Sequence, residues 1–242
     1  MINLIIVMAP LIAISAAAPA ADPRQDTLPT VEQIVERYIE AVGGRDAIER
    51  LTTRVCTGRF IDDRPYRGPV EVFPLEVYSE VPGRWLLVQH FADGTYRDAF
   101  DGRIGWRQNP EGIERAEDNA RSKHGWLFDP QGPLRIRDYF RDMVVTGTGD
   151  VDGQTVYVVQ TDRDHAHYSL YFDIETGLLL RIGYWWWLED YREVDGVKVP
   201  FRIVCGRKGG SNTYEFDRVE HNLPIDHARF VMPDSSGALG GA

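Results

Sequence analysis

Positive charge is scarce in this sequence: 27 Lys and Arg face 37 Asp and Glu, leaving a formal net charge of −10. A nucleic-acid surface needs clustered cations to displace condensed counterions, so this balance speaks against DNA or RNA as a partner. The same acidity keeps the chain soluble and repels anionic bilayers. Cysteine is nearly absent, with only Cys56 and Cys205, and neither is linked to a His or Ser pattern that would specify a nucleophile. The glycines form no phosphate loop, since Gly147-Thr148-Gly149 sits in a strand pattern without the lysine such a loop requires. No charged side chain occurs before Asp22.

That uncharged start contains an apolar run from Leu4 to Ile14 followed by small residues, with Ala18-Pro19-Ala20 as a small-x-small site. The run is too short to span a bilayer and reads as a signal peptide cleaved after Ala20. Only the amine of Met1 supplies positive charge ahead of it, which leaves a retained N-terminal anchor as the alternative. No cysteine follows the run, so an exported product would carry no lipid there and would be periplasmic. The expected organisation is a signal peptide over 1–20, a polar linker over 21–29, one domain over 30–233 and a disordered Ser/Gly/Ala tail over 234–242.

The domain opens with a helix. Thr30 and Gln33 make a capping-box pattern, Val31, Ile34, Val35, Tyr38, Ile39 and Val42 recur at three and four residues, and Gly43-Gly44 can end the helix. Its apolar stripe must cover something, and Ile34, Val35, Tyr38 and Ile39 are its candidate lid residues. A shorter helical turn is expected over 45–51. Beyond it the period becomes two. Strands are expected over 54–62, 69–80, 84–91, 95–101, 104–108, 143–150, 154–161, 168–172, 180–186, 197–207 and 212–220, about eleven in all. Asp-Gly at 93–94, 101–102, 152–153 and 195–196 favours tight hairpins, hence an antiparallel meander without parallel crossovers. The pattern breaks over 113–141, where helical pieces are expected at 116–128 and 134–140. A meander of this length must curl to hide its apolar face, as a barrel or a helix-capped half-barrel.

Trp185, Trp186 and Trp187 stand in a row after Tyr184. Strict alternation puts Trp186 with Tyr184 and Ile182 on one face and turns Trp185 and Trp187 outward. Inward rings can fill a core or wall a cavity, and outward ones can meet a partner. His165 and His167, behind Asp162 and Asp164, are the only metal-like cluster, but a third ligand is missing, so neither metal nor cofactor is assigned. No catalytic constellation emerges; a hydrolase or metal enzyme is the remotest reading. Cys56 shares a face with Phe60, and Cys205 with Phe201 and Ile203, so both point inward; whether they pair is left open.

Five stretches, in this order, resemble the LolA/LolB-like lipoprotein-sorting superfamily, in its broad uncharacterised bacterial branch: VEQIVERYIEAVGG at 31–44, FDGRIGW at 100–106, VTGTGDVDGQTVYVV at 145–159, YFDIETGLLLR at 171–181 and DYREVDGVKVPF at 190–201. The resemblance implies a mainly β fold: an incomplete antiparallel β-barrel of about eleven strands, with an N-terminal amphipathic helix and short helices over an apolar cavity. It also implies a periplasmic, non-catalytic carrier of a hydrophobic ligand, with a lipid or acylated protein as partner. The alternative is a structural module with a filled core that docks an envelope protein. Candidate wall residues are Phe100 and Trp106, then Tyr168, Leu170 and Phe172, then Leu180, Ile182, Tyr184 and Trp186, and finally Phe201 and Ile203.

Overall fold

The computed structural model describes residues 28–66, 68–116, 123–163, 166–207 and 210–233. The proposed signal peptide, most of the linker, His165 and the C-terminal tail lie outside them. Helix α1 runs Val31–Ala41 and starts as its sequence dictates. Thr30 Oγ1 accepts from Gln33 N at 3.3 Å, and Gln33 Oε1 accepts from Thr30 N at 2.8 Å, so two backbone donors of the first turn are satisfied. Its end is closed by Gly43 N donating to Glu40 O and Gly44 N to Ile39 O. A Cβ on Gly43 would stand 2.2 Å from Gly196 O, so only glycine lets this end seat on the neighbouring hairpin. Helix α2 follows over Arg45–Glu49.

Thirteen strands form one antiparallel sheet that is not closed into a barrel. Strands β1 (Thr53–Asp62), β2 (Glu71–Glu80), β3 (Arg84–Phe91), β4 (Gly94–Phe100), β5 (Gly105–Asn109) and β6 (Gly112–Arg115) meander to one edge. Strands β7 (Arg141–Val151), β8 (Gln154–Arg163), β9 (Ala166–Asp173), β10 (Leu179–Ile182), β11 (Trp186–Val194), β12 (Val197–Arg207) and β13 (Gly210–His221) meander back from the other. Pairing of β1 with β13 joins the halves, with a register shift between Thr57 and Gly58. A Cβ on Gly58 would lie 2.0 Å from Glu215 O, so the shift depends on glycine. Helices α3 (Lys123–Phe128) and α4 (Ile136–Tyr139) bridge the meanders. Although β3 and β7 are far apart in strand order, α3 meets β2 and β3 while α4 meets β7, so the sheet curls around this short segment.

The mainly β, open antiparallel expectation holds, with two strands more than expected. Strand β6 was hidden in the irregular stretch after 113, and the run 180–186 is not one strand. Gly183, with φ +58, turns the chain between β10 and β11. Within β10 the register shifts between Leu179 and Arg181, which makes Leu180 the bulged residue and places both Leu179 and Ile182 in the core. Simple alternation through Leu180, Ile182, Tyr184 and Trp186 therefore fails. Of the helix expected over 116–128, the described part is α3 alone.

The inner face of the sheet carries the main core together with α1, α2 and α3, including Ile34, Val35, Tyr38, Ile39 and Val42 of α1. Burial of each such side chain is worth about 1.5–3 kcal/mol, so docking, more than helix propensity, holds α1 in place. The outer face has its own smaller core: Leu86, Val88, Ala99 and Trp106 pack beneath Phe230, from the segment that follows β13.

Candidate ligand-binding site

Where the described helices stop, no described residue covers the inner face. Register brings Phe60 of β1 opposite Phe73 of β2 on one side and Tyr214 of β13 on the other. Phe91 and Tyr96 arrive through the tight β3–β4 hairpin, in which Phe91 pairs with Gly94. The rings support one another: Phe60 lies 5.6 Å from Phe91 and 5.3 Å from Tyr214, while Phe91 lies 4.7 Å from Phe73 and 4.9 Å from Tyr96. Such edge-on and tilted arrangements favour a rigid wall. They line an open hollow of about 570 Å³ to which no described helical residue contributes. Its polar border is mostly satisfied within the chain, since Arg64 holds Asp62 through Nε at 2.8 Å and Nη2 at 2.5 Å, and Tyr96 OH donates to Asp93. Asn212 Oδ1, also in this wall, is buried without a hydrogen-bond partner among the described residues. The lining sets aromatic rings beside Asp62, Arg64, Glu71, Gln89, Asp93 and Asn212, which fits an amphipathic ligand whose apolar part lies on the rings.

The opposite end of the same face is sealed. Only about 30 Å³ remains there, between Tyr38, Arg54, Trp126, Asp129 and Tyr191. Arg54 is buried on β1 and donates Nε–H to His221 Nε2 at 3.0 Å. Arginine can only donate, so His221 Nε2 must carry a lone pair and its proton sits on Nδ1, 3.3 Å from Asp195 Oδ2. Burial, aided by the Arg54 charge, pushes the His221 pKa down to about 4. Asp129, whose side chain is fully buried, receives Arg135 Nη1 at 2.8 Å and the Gln131 amide at 2.9 Å. Burial raises its pKa against the pull of Arg135 and Arg54. Gln131 also donates to Glu49 O and Leu51 O, both at 3.0 Å, which ties the helical bridge to the end of α2.

Most sequence-derived wall residues lie in the filled part. Leu170, Phe172, Ile182, Trp186, Phe201 and Ile203 are buried in the inner core, and Phe100 packs against it. Tyr168 is half-buried on β9. Trp186 stacks on Tyr214 at 6.2 Å and so backs the hollow without lining it. Three residues are elsewhere. Trp106 faces outward, where its Nε1–H donates to Phe230 O at 2.7 Å, because the turn after Phe100 breaks the continuity of alternation. Leu180 is displaced by its bulge, and Tyr184 sits in the β10–β11 turn, 74% exposed. The lid residues Ile34, Val35, Tyr38 and Ile39 are all buried by α1.

No disulfide joins Cys56 and Cys205. Cys56 pairs with Val219 and Cys205 with Asn212 on the intervening β13, seven residues apart along that strand at about 3.3 Å per residue, so the register keeps the thiols from meeting. Burial raises the Cys56 pKa to about 12. The rings that do wall the hollow, Phe60, Phe73, Phe91, Tyr96 and Tyr214, were not singled out from sequence. Their common parity was readable strand by strand, but only the register reveals that they converge.

No family model and no curated protein matches this chain. Solved structures do. A DUF1329 family protein from Desulfovibrio piger superposes with a TM-score of 0.57 at 15% identity, covering 83% of this chain and 97% of that one. A domain assigned to outer membrane lipoprotein sorting from Vibrio parahaemolyticus gives 0.54 at 14% identity, covering 82% and 96%. A LolA superfamily protein from Nitrosomonas europaea also gives 0.54, at 12% identity, covering 84% and 98%. The fold is LolA-like. The LolA-like likeness embraces the whole length of those chains and concerns architecture; function must be argued from the site. Among the described residues, no helix is long and apolar enough to cross a membrane.

Proposed function

We propose that this chain is an exported, non-catalytic binding or carrier protein that shelters a hydrophobic ligand, a lipid or the acyl chain of a lipoprotein, on the inner face of its open sheet. The observation that carries this reading is the aromatic hollow of about 570 Å³ beside the buried core of the inner face. Burying an acyl chain there gains about 0.8 kcal/mol per CH2, so a modest length of chain suffices for retention. The LolA-like fold supports the same class of ligand, since one similar structure is assigned to lipoprotein sorting. Export would remove residues 1–20 and leave the 30–233 domain in the periplasm; N-terminal sequencing of the exported chain should begin at Ala21.

The rival reading, a partner-docking envelope module, draws on the sealed end, where only about 30 Å³ is free. Native mass spectrometry of freshly purified protein, with organic extraction of what it carries, separates the two. The carrier reading expects a lipid-sized adduct that disappears in Phe91→Ala. A bare mass, with no uptake of added fatty acid, favours the module.

A further inference from the structure

Exposed apolar side chains are normally scattered. Here they are not. Of the nine large hydrophobic residues exposed among the described residues, six gather at one end of the sheet: Tyr66, Val70, Val72, Val144, Tyr184 and Trp185. The pairing establishes that this is a single end. Val144 pairs with Gln160 and Gln160 with Ser169, whose carbonyl accepts from Gly183 N at 2.7 Å at the start of the Tyr184-Trp185 turn. Trp186 then pairs with Cys205, Cys205 with Asn212, Asn212 with Asp62, and Asp62 with Glu71, which brings the row to Val72. Asp62, Glu71 and Asn212 line the aromatic hollow, so the exposed residues form a rim along the end of the sheet that holds it, with Tyr66, Val70 and Val72 beside the hollow and Trp185, Tyr184 and Val144 farther along the same end.

We infer that this rim docks on the surface of a phospholipid bilayer, so that a greasy ligand passes between membrane and hollow without crossing water. The inference rests on the proposed ligand class only for its purpose, since the rim stands independently of what fills the hollow.

Three features point to lipid. The aromatic members are Tyr and Trp, whose amphipathic rings favour the headgroup layer. Tyr184 is 74% and Trp185 54% exposed at a hairpin tip, and Tyr66 is 78% exposed on the β1–β2 connection at the same end of the sheet, a geometry of separate turns suited to shallow insertion. Both aromatic turns hold an arginine against their rings, although Arg64 is paired with Asp62 and only Arg181 has no carboxylate partner among the described residues to share its charge with. The Arg181 guanidinium lies 5.4 Å from the Tyr184 ring and 4.8 Å from that of Trp187, and Arg64 lies 5.7 Å from Tyr66. The Arg181 cation at this level can meet a headgroup phosphate while the rings reach the acyl boundary. The net charge of −10 disfavours strongly anionic surfaces, so a zwitterionic bilayer is the matching partner.

Hydrogen–deuterium exchange of the full chain with phosphatidylcholine vesicles tests this segment by segment, so any membrane affinity of the N-terminal run does not obscure the result. Vesicles should protect 64–72 and 183–187 and leave 223–231 unchanged. Tyr184→Ala with Trp185→Ala should lower that protection at least tenfold at equal lipid with the melting temperature unchanged. Val231→Ala, an exposed apolar residue away from the rim, should change nothing. Absence of rim protection overturns docking, as does protection that survives the double substitution. So does protection that appears only with envelope proteins, which would assign the rim to a protein. Docking without co-purifying lipid would sink the ligand reading alone, and lipid in the hollow without rim protection would sink docking alone.

Discussion

The two ends of the inner face share strands β1 and β13 yet solve opposite problems. At the sealed end, α1 and the α3–α4 bridge cover the sheet, and the polar groups buried there, Arg54, His221 and Asp129, are each held by partners. At the open end no described helical residue contributes, aromatic rings line a hollow, and apolar side chains stand in solvent along the same end of the sheet. Burial of paired polar groups costs little once they are hydrogen-bonded, whereas exposed rings forgo their burial energy entirely. The sealed end thus stabilises the fold, and the proposed binding falls to the open end.

The largest effect that would sharpen this contrast is at the sealed end. Ile34→Asp places an unpaired charge under α1 and should destabilise by more than about 3 kcal/mol in denaturant unfolding. An unchanged midpoint would mean that α1 does not hold the sheet.

Next comes pH. His221 titrates at about 4 in the folded protein against 6.5 ordinarily, so between these values the unfolded chain takes up a proton that the folded chain refuses. Stability should therefore fall as pH drops from about 6.5 to 4, by roughly 2–3 kcal/mol at about 1.4 kcal/mol per unit, and this contribution should level off below 4. His221→Gln should flatten that slope. A slope identical in the variant would detach His221 from acid sensitivity.

At the open end the expected ordering reverses. Phe91→Ala should weaken binding of a fluorescent fatty acid about tenfold, equivalent to about 1.4 kcal/mol, because Phe91 touches Phe60, Phe73 and Tyr96 in the wall. Its half-buried ring should cost less stability than Ile34→Asp. Should Phe91→Ala unfold the protein while leaving affinity untouched, the division between the ends would be broken.

Local chemistry was legible in the sequence. The capping box at Thr30 and Gln33 formed as read, and the Asp-Gly pairs became turns, with positive φ at Asp152, Gly153, Asp195 and Gly196. These features depend on residues a few positions apart. Less legible were the bulge at Leu180 and the turn at Gly183, which redirected a run that looked continuous. Trp106 was misassigned because the outer face has a cover of its own, Phe230, 124 residues away. The hollow was beyond reach for the same reason: Phe60 and Tyr214 meet only through the pairing of β1 with β13.

Photolabelling with a fatty acid that carries a diazirine at its chain end locates the apolar site directly. The account predicts adducts in the peptides holding Phe60, Phe73, Phe91, Tyr96 and Tyr214, suppressed by unlabelled fatty acid. Saturable labelling beneath α1 or on the outer face near Trp106, with none in the aromatic wall, would contradict it.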